Sequence, residues 1–357
     1  MYEHVEGKGY PLSLIPGYFG SKPGIQAATQ MSPTASDEDI QFVKQLGIEW
    51  VMTGLAPGQA PSAESYKAIR QHFENYGLKV YRLANHSCHN MPQVTLNLPG
   101  RDAKVEEYLQ YIRDLGAAGI RYSTYAHMGN GIWSSGRERI RGGAESRAFH
   151  IEDPAKRGHW IREEFAGPLT HGREYTEDEI WDNYIYFIEK VVPVAEEANV
   201  FIGIHPDDPP VYPFGGIPRS IFGSFEGYKR ALEIADSPNI GMCLCVGCWL
   251  EGGEAMGATP EDTIRYFGGM KKLFKVHFRN VTAPMPEGFA ETYMDAGYYD
   301  MYGIMRALRE VDFDGAVISD HLPAMVGGRY AAEAYGVAYI KALIRSVNNE
   351  FGGPAGY

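Results

Sequence analysis

The chain has 357 residues, 44% of them hydrophobic and 22% charged, with 33 Lys and Arg against 45 Asp and Glu and a formal charge of −12. That is the balance of a globular protein with a large core, and its scattered basic residues exclude nucleic acid as the main partner. No apolar run reaches the ~18 residues of a membrane span, and residues 1–20 lack a basic stretch followed by a long apolar one, so the cytoplasm is the expected compartment.

Short apolar or β-branched runs ending in polar, Gly or Pro residues alternate along the chain with segments of helical spacing. A first strand is expected at 12–20 (LSLIPGYFG), followed by a helix at 36–47 that opens on the cap Ser36 and early acids. Strand 48–55 precedes helix 62–77, strand 78–85 precedes helix 102–119, and strand 120–127 leads into a long irregular stretch. Helix 177–199, strand 200–207, helix 224–237 and strand 240–247 come next. Helix 259–272, strand 273–280, helix 300–312, strand 316–321 and helix 331–350 complete the series. Eight alternating units predict a closed (β/α)8 TIM barrel, because parallel neighbours need helical crossovers. A single domain over 1–357 follows. The alternative, an open doubly wound sheet, normally shows a Gly-rich phosphate loop after its first strand, and GYFGSKPG (17–24) does not match GxGxxG. Residues 128–176 are too long for an ordinary connection and are expected to form a lid or an oligomer contact.

In a barrel the chemistry sits at the C-terminal ends of the strands. The last four expected strands end in His205, Cys245, His277 and Asp320, separated by 40, 32 and 43 residues, each about one βα unit. Taken singly, such a His is more often a hydrogen-bonded rim residue, a buried Cys a small hydrophobe and an Asp a helix cap. Together at matching positions they point to one divalent metal ion, with zinc, iron or cobalt suited to the nitrogen and sulfur donors and manganese allowed by the carboxylate. The same reading accounts for MCLCVGC (242–248), which holds three of the four cysteines. Cys243 and Cys245 share a strand face, one toward the mouth and one a layer deeper, while Cys248 is expected in the following loop. Cys245 and Cys248 spell CxxC, but no second ligand pair completes a zinc knuckle, and a redox motif is expected to open a helix after the first strand rather than the sixth.

HPDDPP (205–210), GGIPR (215–219), SPNIGMCLCVG (237–247), VHFRNV (276–281), FAETYMDAGYYDM (289–301) and SDH (319–321) together resemble the mannonate dehydratase family, a metal-dependent branch of the xylose-isomerase-like barrels. LPGRD (98–102) and the spacing of Tyr125, Met128 and Trp133 extend the likeness over nearly the whole chain. The resemblance implies dehydration of D-mannonate to 2-keto-3-deoxy-D-gluconate with Mn2+ as the usual metal, carried by the four residues that the strand ends mark. It implies His321 and then Tyr330 as proton-transfer residues, and it suggests a homo-oligomer, dimer or larger. Arg279, on the strand face of His277, is expected to take part in the reaction by gripping the substrate carboxylate, or else to close the barrel rim by a salt bridge. Asn280, Trp133 and Arg219, within the same motifs, are the other expected substrate contacts. Asp207 and Asp208 are expected either behind His205 or as turn formers before Pro209 and Pro210.

The chain departs from the family pattern in its substrate-facing loops. Met294 stands where a His is usual, Ile132 and Ser135 where an acid and an Arg are usual, and NHSCHNMP (85–92) lacks a Glu. A sugar isomerase or epimerase on the same barrel and metal is therefore the alternative enzyme, and a binding protein that kept the site is the alternative outside catalysis.

Overall fold

The computed structural model describes residues 24–352. Eight parallel strands form the barrel: β1 (Ile25–Gln30), β2 (Trp50–Gly54), β3 (Lys79–Ala84), β4 (Tyr122–Ala126), β5 (Phe201–His205), β6 (Ile240–Cys245), β7 (Leu273–His277) and β8 (Gly315–Ile318). Their order is β3-β2-β1-β8-β7-β6-β5-β4, and β3 and β4 lie side by side to bring the sheet nearly to closure. The expected strand at 12–20 falls outside the described residues, and the place it would take is filled by Ile25–Gln30. That stretch, IQAATQ, has a single β-branched residue before Thr29, so neither alternation nor β-propensity marks it.

The helices begin where the sequence supplies caps. Ser36 and Asp39 form a reciprocal capping box ahead of Asp37–Gln45, and Thr176 and Glu179 do the same ahead of Glu177–Glu197. Ser62 and Ser224 each accept a backbone N–H of the first helical turn that follows. None of the described helices is long and apolar enough to cross a membrane.

Inside the barrel a layer of Trp50, Tyr81, Tyr122, Phe201 and Phe274 packs with Ala28, Met52, Ala316 and Ile318. Gly203 makes this possible, since a Cβ there would lie 2.4 Å from the Tyr122 hydroxyl. The layer plugs the lower barrel, and the clustered His, Cys and carboxylate side chains lie toward the upper, C-terminal rim. In the ladder between β6 and β7 the register slips: Met242 faces Leu273, and Cys243 then faces Lys275. Phe274 is the extra residue, and the slip brings Cys245 opposite His277.

Residues 128–176 form ordered antiparallel strands. Ile132–Ser134 pairs with Arg157–Trp160, which pairs with Glu163–Phe165. Gly136–Arg139 pairs with Glu145–Phe149, which continues through Phe289–Thr292 to Asn280–Val281. The insertion is thereby stitched to the segment after β7, at the rim where the polar residues gather.

Candidate active site

Three of the marked side chains close their strands: His205 ends β5, Cys245 ends β6 and His277 ends β7, while Asp320 lies two residues beyond β8. The structure brings the four together. His205 Nε2 is 3.2 Å from His277 Nδ1, and His277 Nδ1 is 3.3 Å from an Asp320 carboxylate oxygen. The donor atoms of Cys245, His277 and Asp320 all lie within 4.8 Å of one another, as do those of His205, Cys245 and Cys248. His205 Nδ1 is 2.7 Å from the Pro206 carbonyl, a bond that needs Nδ1–H and so leaves the Nε2 lone pair facing the cluster.

The donor set suits a cation chemically. Burial alone would raise the Asp320 carboxyl, but His277 and His321 beside it outweigh burial and hold it well below the usual carboxylate range. Burial likewise works against a charged Cys245, yet the hydrogen bond with Cys248 and the Arg279 guanidinium hold this thiol well below its ordinary value. Two ionised donors and two imidazole nitrogens turned inward are a set that a divalent ion can use as ligands.

The expected loop at Cys248 is instead a short helix, Val246–Gly252. Cys245 is its N-cap: its sulfur accepts the Cys248 N–H at 3.5 Å, so the CxxC spacing has a local structural reason. All four cysteines are free thiols. A third cluster, Asp208, Cys248 and Glu251, surrounds the Arg279 guanidinium, which lies 3.4 Å from the Cys248 sulfur.

Beside the four donors lies a buried lattice of charge. Arg279, 1% exposed, donates to Glu251 at 2.6 Å and to Asp208 at 3.0 Å, and it also lies 3.2 Å from Glu291 and 3.5 Å from Asp320. Arg147, carried in from the insertion, donates to Glu291 and to the Trp133 carbonyl, each at 2.8 Å, and pairs with Asp208. Two guanidinium groups thus face four carboxyl groups. A Cβ at Gly247 would lie 2.4 Å from the Arg279 side chain, so the glycine lets that side chain pass against the short helix. Sequence reasoning missed Arg147, Glu251 and Glu291. Glu251 lies within two helical turns of Cys245 and Glu291 within a quoted motif, whereas nothing local marks Arg147, which the hairpin pairing alone positions.

Glu251 is the carboxyl of this lattice whose surroundings favour the protonated form. Burial raises its carboxyl, Asp208 adds to the rise, and the two arginines offset only part of it, leaving a pKa of about 8. Its Oε2 has no hydrogen-bond partner, so ionisation would leave buried negative charge unpaired on that oxygen. Its pKa in the unfolded chain is near 4.5, so between these values the native state keeps a proton that the unfolded chain has released. The stability this contributes is full below the lower value and is lost as pH rises through the upper one. Glu251→Gln, compared with the parent by urea unfolding in chelator, is expected to gain relative stability by up to about 1.4 kcal/mol per pH unit across that window. A pH-independent difference would show that Glu251 is ionised throughout.

His321 occupies the open side. Its Nδ1 is 2.7 Å from Glu291, its Nε2 is 3.7 Å from Asp320, and its side chain is 39% exposed. Burial lowers its pKa, but the Asp320 and Glu291 carboxylates more than compensate and raise it to about 9.

The other expected residues are held by the protein itself. The Tyr330 hydroxyl donates to Asp39 at 2.7 Å and its ring packs on Phe42, because the last helix starts at Gly328 and turns Tyr330 toward the helix Asp37–Gln45. There it lines a cavity of about 210 Å³ with Thr29, Gln30, Arg329 and Glu333. The Asn280 amide donates to the carbonyls of Met294 and Tyr299 at 3.1 and 3.0 Å. Trp133 stacks on Phe214 and donates to Asn130 at 3.1 Å. Arg219 donates to the carbonyls of Gly131 and Pro209 at 2.6 and 3.0 Å. Arg279 has the rim-closing arrangement, with its guanidinium enclosed by carboxylates. Asp208 serves the two arginines rather than His205. Met294 is buried in the core.

Comparison with known proteins places the chain as a whole. A family model described as D-mannonate dehydratase (UxuA) matches residues 35–352. A mannonate dehydratase of Thermotoga neapolitana is 29% identical over 337 residues, covering 85% of this chain and 90% of the relative. One from Streptococcus pneumoniae is 30% identical over 329 residues, covering 86% of each. The crystal structure of mannonate dehydratase from Streptococcus suis serotype 2 superposes with a TM-score of 0.78 at 26% identity, over 93% of this chain and 96% of that one. A D-psicose 3-epimerase shares the barrel at a TM-score of 0.58 and 11% identity, a likeness of fold alone. Matched over most of its length, on an eight-stranded parallel barrel, the chain belongs to the D-mannonate dehydratase family and, with it, to the hydro-lyases.

Proposed function

We propose that this protein is a divalent-cation-dependent dehydratase that converts D-mannonate to 2-keto-3-deoxy-D-gluconate and water, with Mn2+ as its working ion. The observation that carries the reading is the meeting of His205, Cys245, His277 and Asp320 at the ends of four successive strands in a chain of this family. The ion would be held by His205 Nε2, Cys245 Sγ, His277 Nδ1 and an Asp320 oxygen. When bound it supplies Lewis-acid stabilisation of negative charge developing next to the substrate carboxylate.

The remaining work is proton transfer. The C2 proton must leave, the C3 hydroxyl must depart as water, and the resulting enol must ketonise. His321 is the group placed to move a proton, at Nε2, because Nδ1 is held by Glu291 at 2.7 Å and the ring has an open face. Glu291 orients the imidazole and stabilises its charged form. His321, Arg279 and Arg147 keep Glu291 ionised, and His277, His321 and Arg279 do the same for Asp320. The ordered insertion is tied to Phe289–Thr292, the strand that carries Glu291, and so to this side of the mouth.

Protein loaded with Mn2+ is expected to form the 2-keto-3-deoxy acid from D-mannonate, to lose this activity on exhaustive chelation and to regain it when Mn2+ is restored. If neither D-mannonate nor any other aldonate is dehydrated, the proposal fails. Solvent deuterium incorporation without loss of water would assign an epimerase instead.

A further inference from the structure

We propose that Cys243 is a positioning residue of the cation site: its sulfur accepts the Nε2–H of His277 and so leaves Nδ1 as the lone-pair donor that faces His205, Cys245 and Asp320. This rests on the reading of those four residues as cation ligands and assigns a role to a fifth residue beneath them.

The direction of the imidazole is visible in the contacts. Nδ1 is the inner atom, 3.2 Å from His205 Nε2 and 3.3 Å from Asp320, while Nε2 points down the barrel and lies 3.6 Å from Cys243 Sγ. A neutral imidazole carries one N–H, so a ring that gives its Nδ1 lone pair to a cation must hold its hydrogen on Nε2. That hydrogen is buried with Cys243, which is 0% exposed, and the sulfur is the acceptor in front of it. Metal-ligating histidines need such a partner on the second ring nitrogen, because it fixes both tautomer and ring orientation.

The backbone is built for this contact. Were β6 and β7 paired without the slip after Met242 and Leu273, Cys245 would face Val276 and His277 would fall out of step with the two thiols. The extra residue Phe274 restores the match, setting Cys243 opposite Lys275 and Cys245 opposite His277. Lys275 is 1% exposed, and among the described residues no carboxylate lies within ion-pair distance of its ammonium group.

The test uses Co2+ as a spectroscopic probe on cation-free full-length protein. Cys243→Val keeps an apolar side chain of similar size but removes the acceptor, Cys243→Ala removes it without added bulk, and Cys243→Ser restores an oxygen acceptor. The Val and Ala variants are expected to bind Co2+ about 10–100-fold more weakly and to shift its ligand-field bands, while Ser stays within a few-fold of the parent. The near-ultraviolet sulfur-to-cobalt band, which reports Cys245, should persist in all of them, and the unfolding midpoints of the cation-free variants should stay close to the parent. Unchanged affinity and bands in Val and Ala, or equal losses in Val, Ala and Ser, would overturn the role of Cys243 while leaving the four-ligand site intact. Parent protein that takes up no Co2+ at all would instead overturn the cation reading, and this inference with it.

Discussion

His321→Gln is expected to lower kcat on D-mannonate by about 10²–10⁴-fold while changing KM only a few-fold. Glutamine can still donate to Glu291, so the charged lattice beneath it remains connected, but its amide cannot take up or release a proton. The four expected cation ligands are untouched, so Mn2+ content should equal that of the parent. The contrast between intact ion content and lost turnover separates proton transfer from a packing role. Steady-state kinetics with metal analysis of the same preparations checks it. A variant that retains more than a tenth of the parent kcat would remove His321 from the reaction and return attention to Tyr330, across the neighbouring cavity.

Arg279→Met is expected to destabilise the cation-free protein by about 3–5 kcal/mol in urea unfolding. The guanidinium lies 2.6 Å from Glu251, 3.0 Å from Asp208, 3.2 Å from Glu291 and 3.5 Å from Asp320. Its removal leaves buried carboxylates with Arg147 as the remaining arginine among them. Arg279→Lys should recover little of the loss, because a point charge cannot reach carboxylates set around a planar fork. The outcome discriminates between the two roles open to this residue. An arginine that served mainly to grip the substrate carboxylate would, when replaced, raise KM and leave stability nearly unchanged. That result would show that the lattice holds together without it.

Both experiments concern residues whose relation to the fold differs in legibility. His321 stands next to Asp320 in SDH, and any chain that ends its eighth strand there delivers the two side chains to the same rim. Arg279 is equally visible two residues after His277, but its partners come from four separate segments, 208, 251, 291 and 320. A reading along the chain finds the cation and cannot find the anions that enclose it. For the same reason a reading along the chain cannot separate two settings for Arg279, Asn280, Trp133 and Arg219: polar and aromatic residues in a motif look alike whether they face a ligand or tie the rim to itself.

Local chemistry was enough to determine the alternation of strands and helices and seven of the eight barrel strands, and to mark the four side chains that meet at the ends of β5 to β7 and just beyond β8, since periodicity, caps and strand ends are properties of neighbouring residues. The first described strand, the register slip at Phe274, the ring direction of His277 and the arrival of Arg147 from the insertion were decided only in three dimensions. Each depends on which backbone lies alongside which, and that is set by packing between segments far apart in the chain. The four rim side chains are therefore legible along the chain, and the tertiary structure supplies the counter-charges and hydrogen bonds around them.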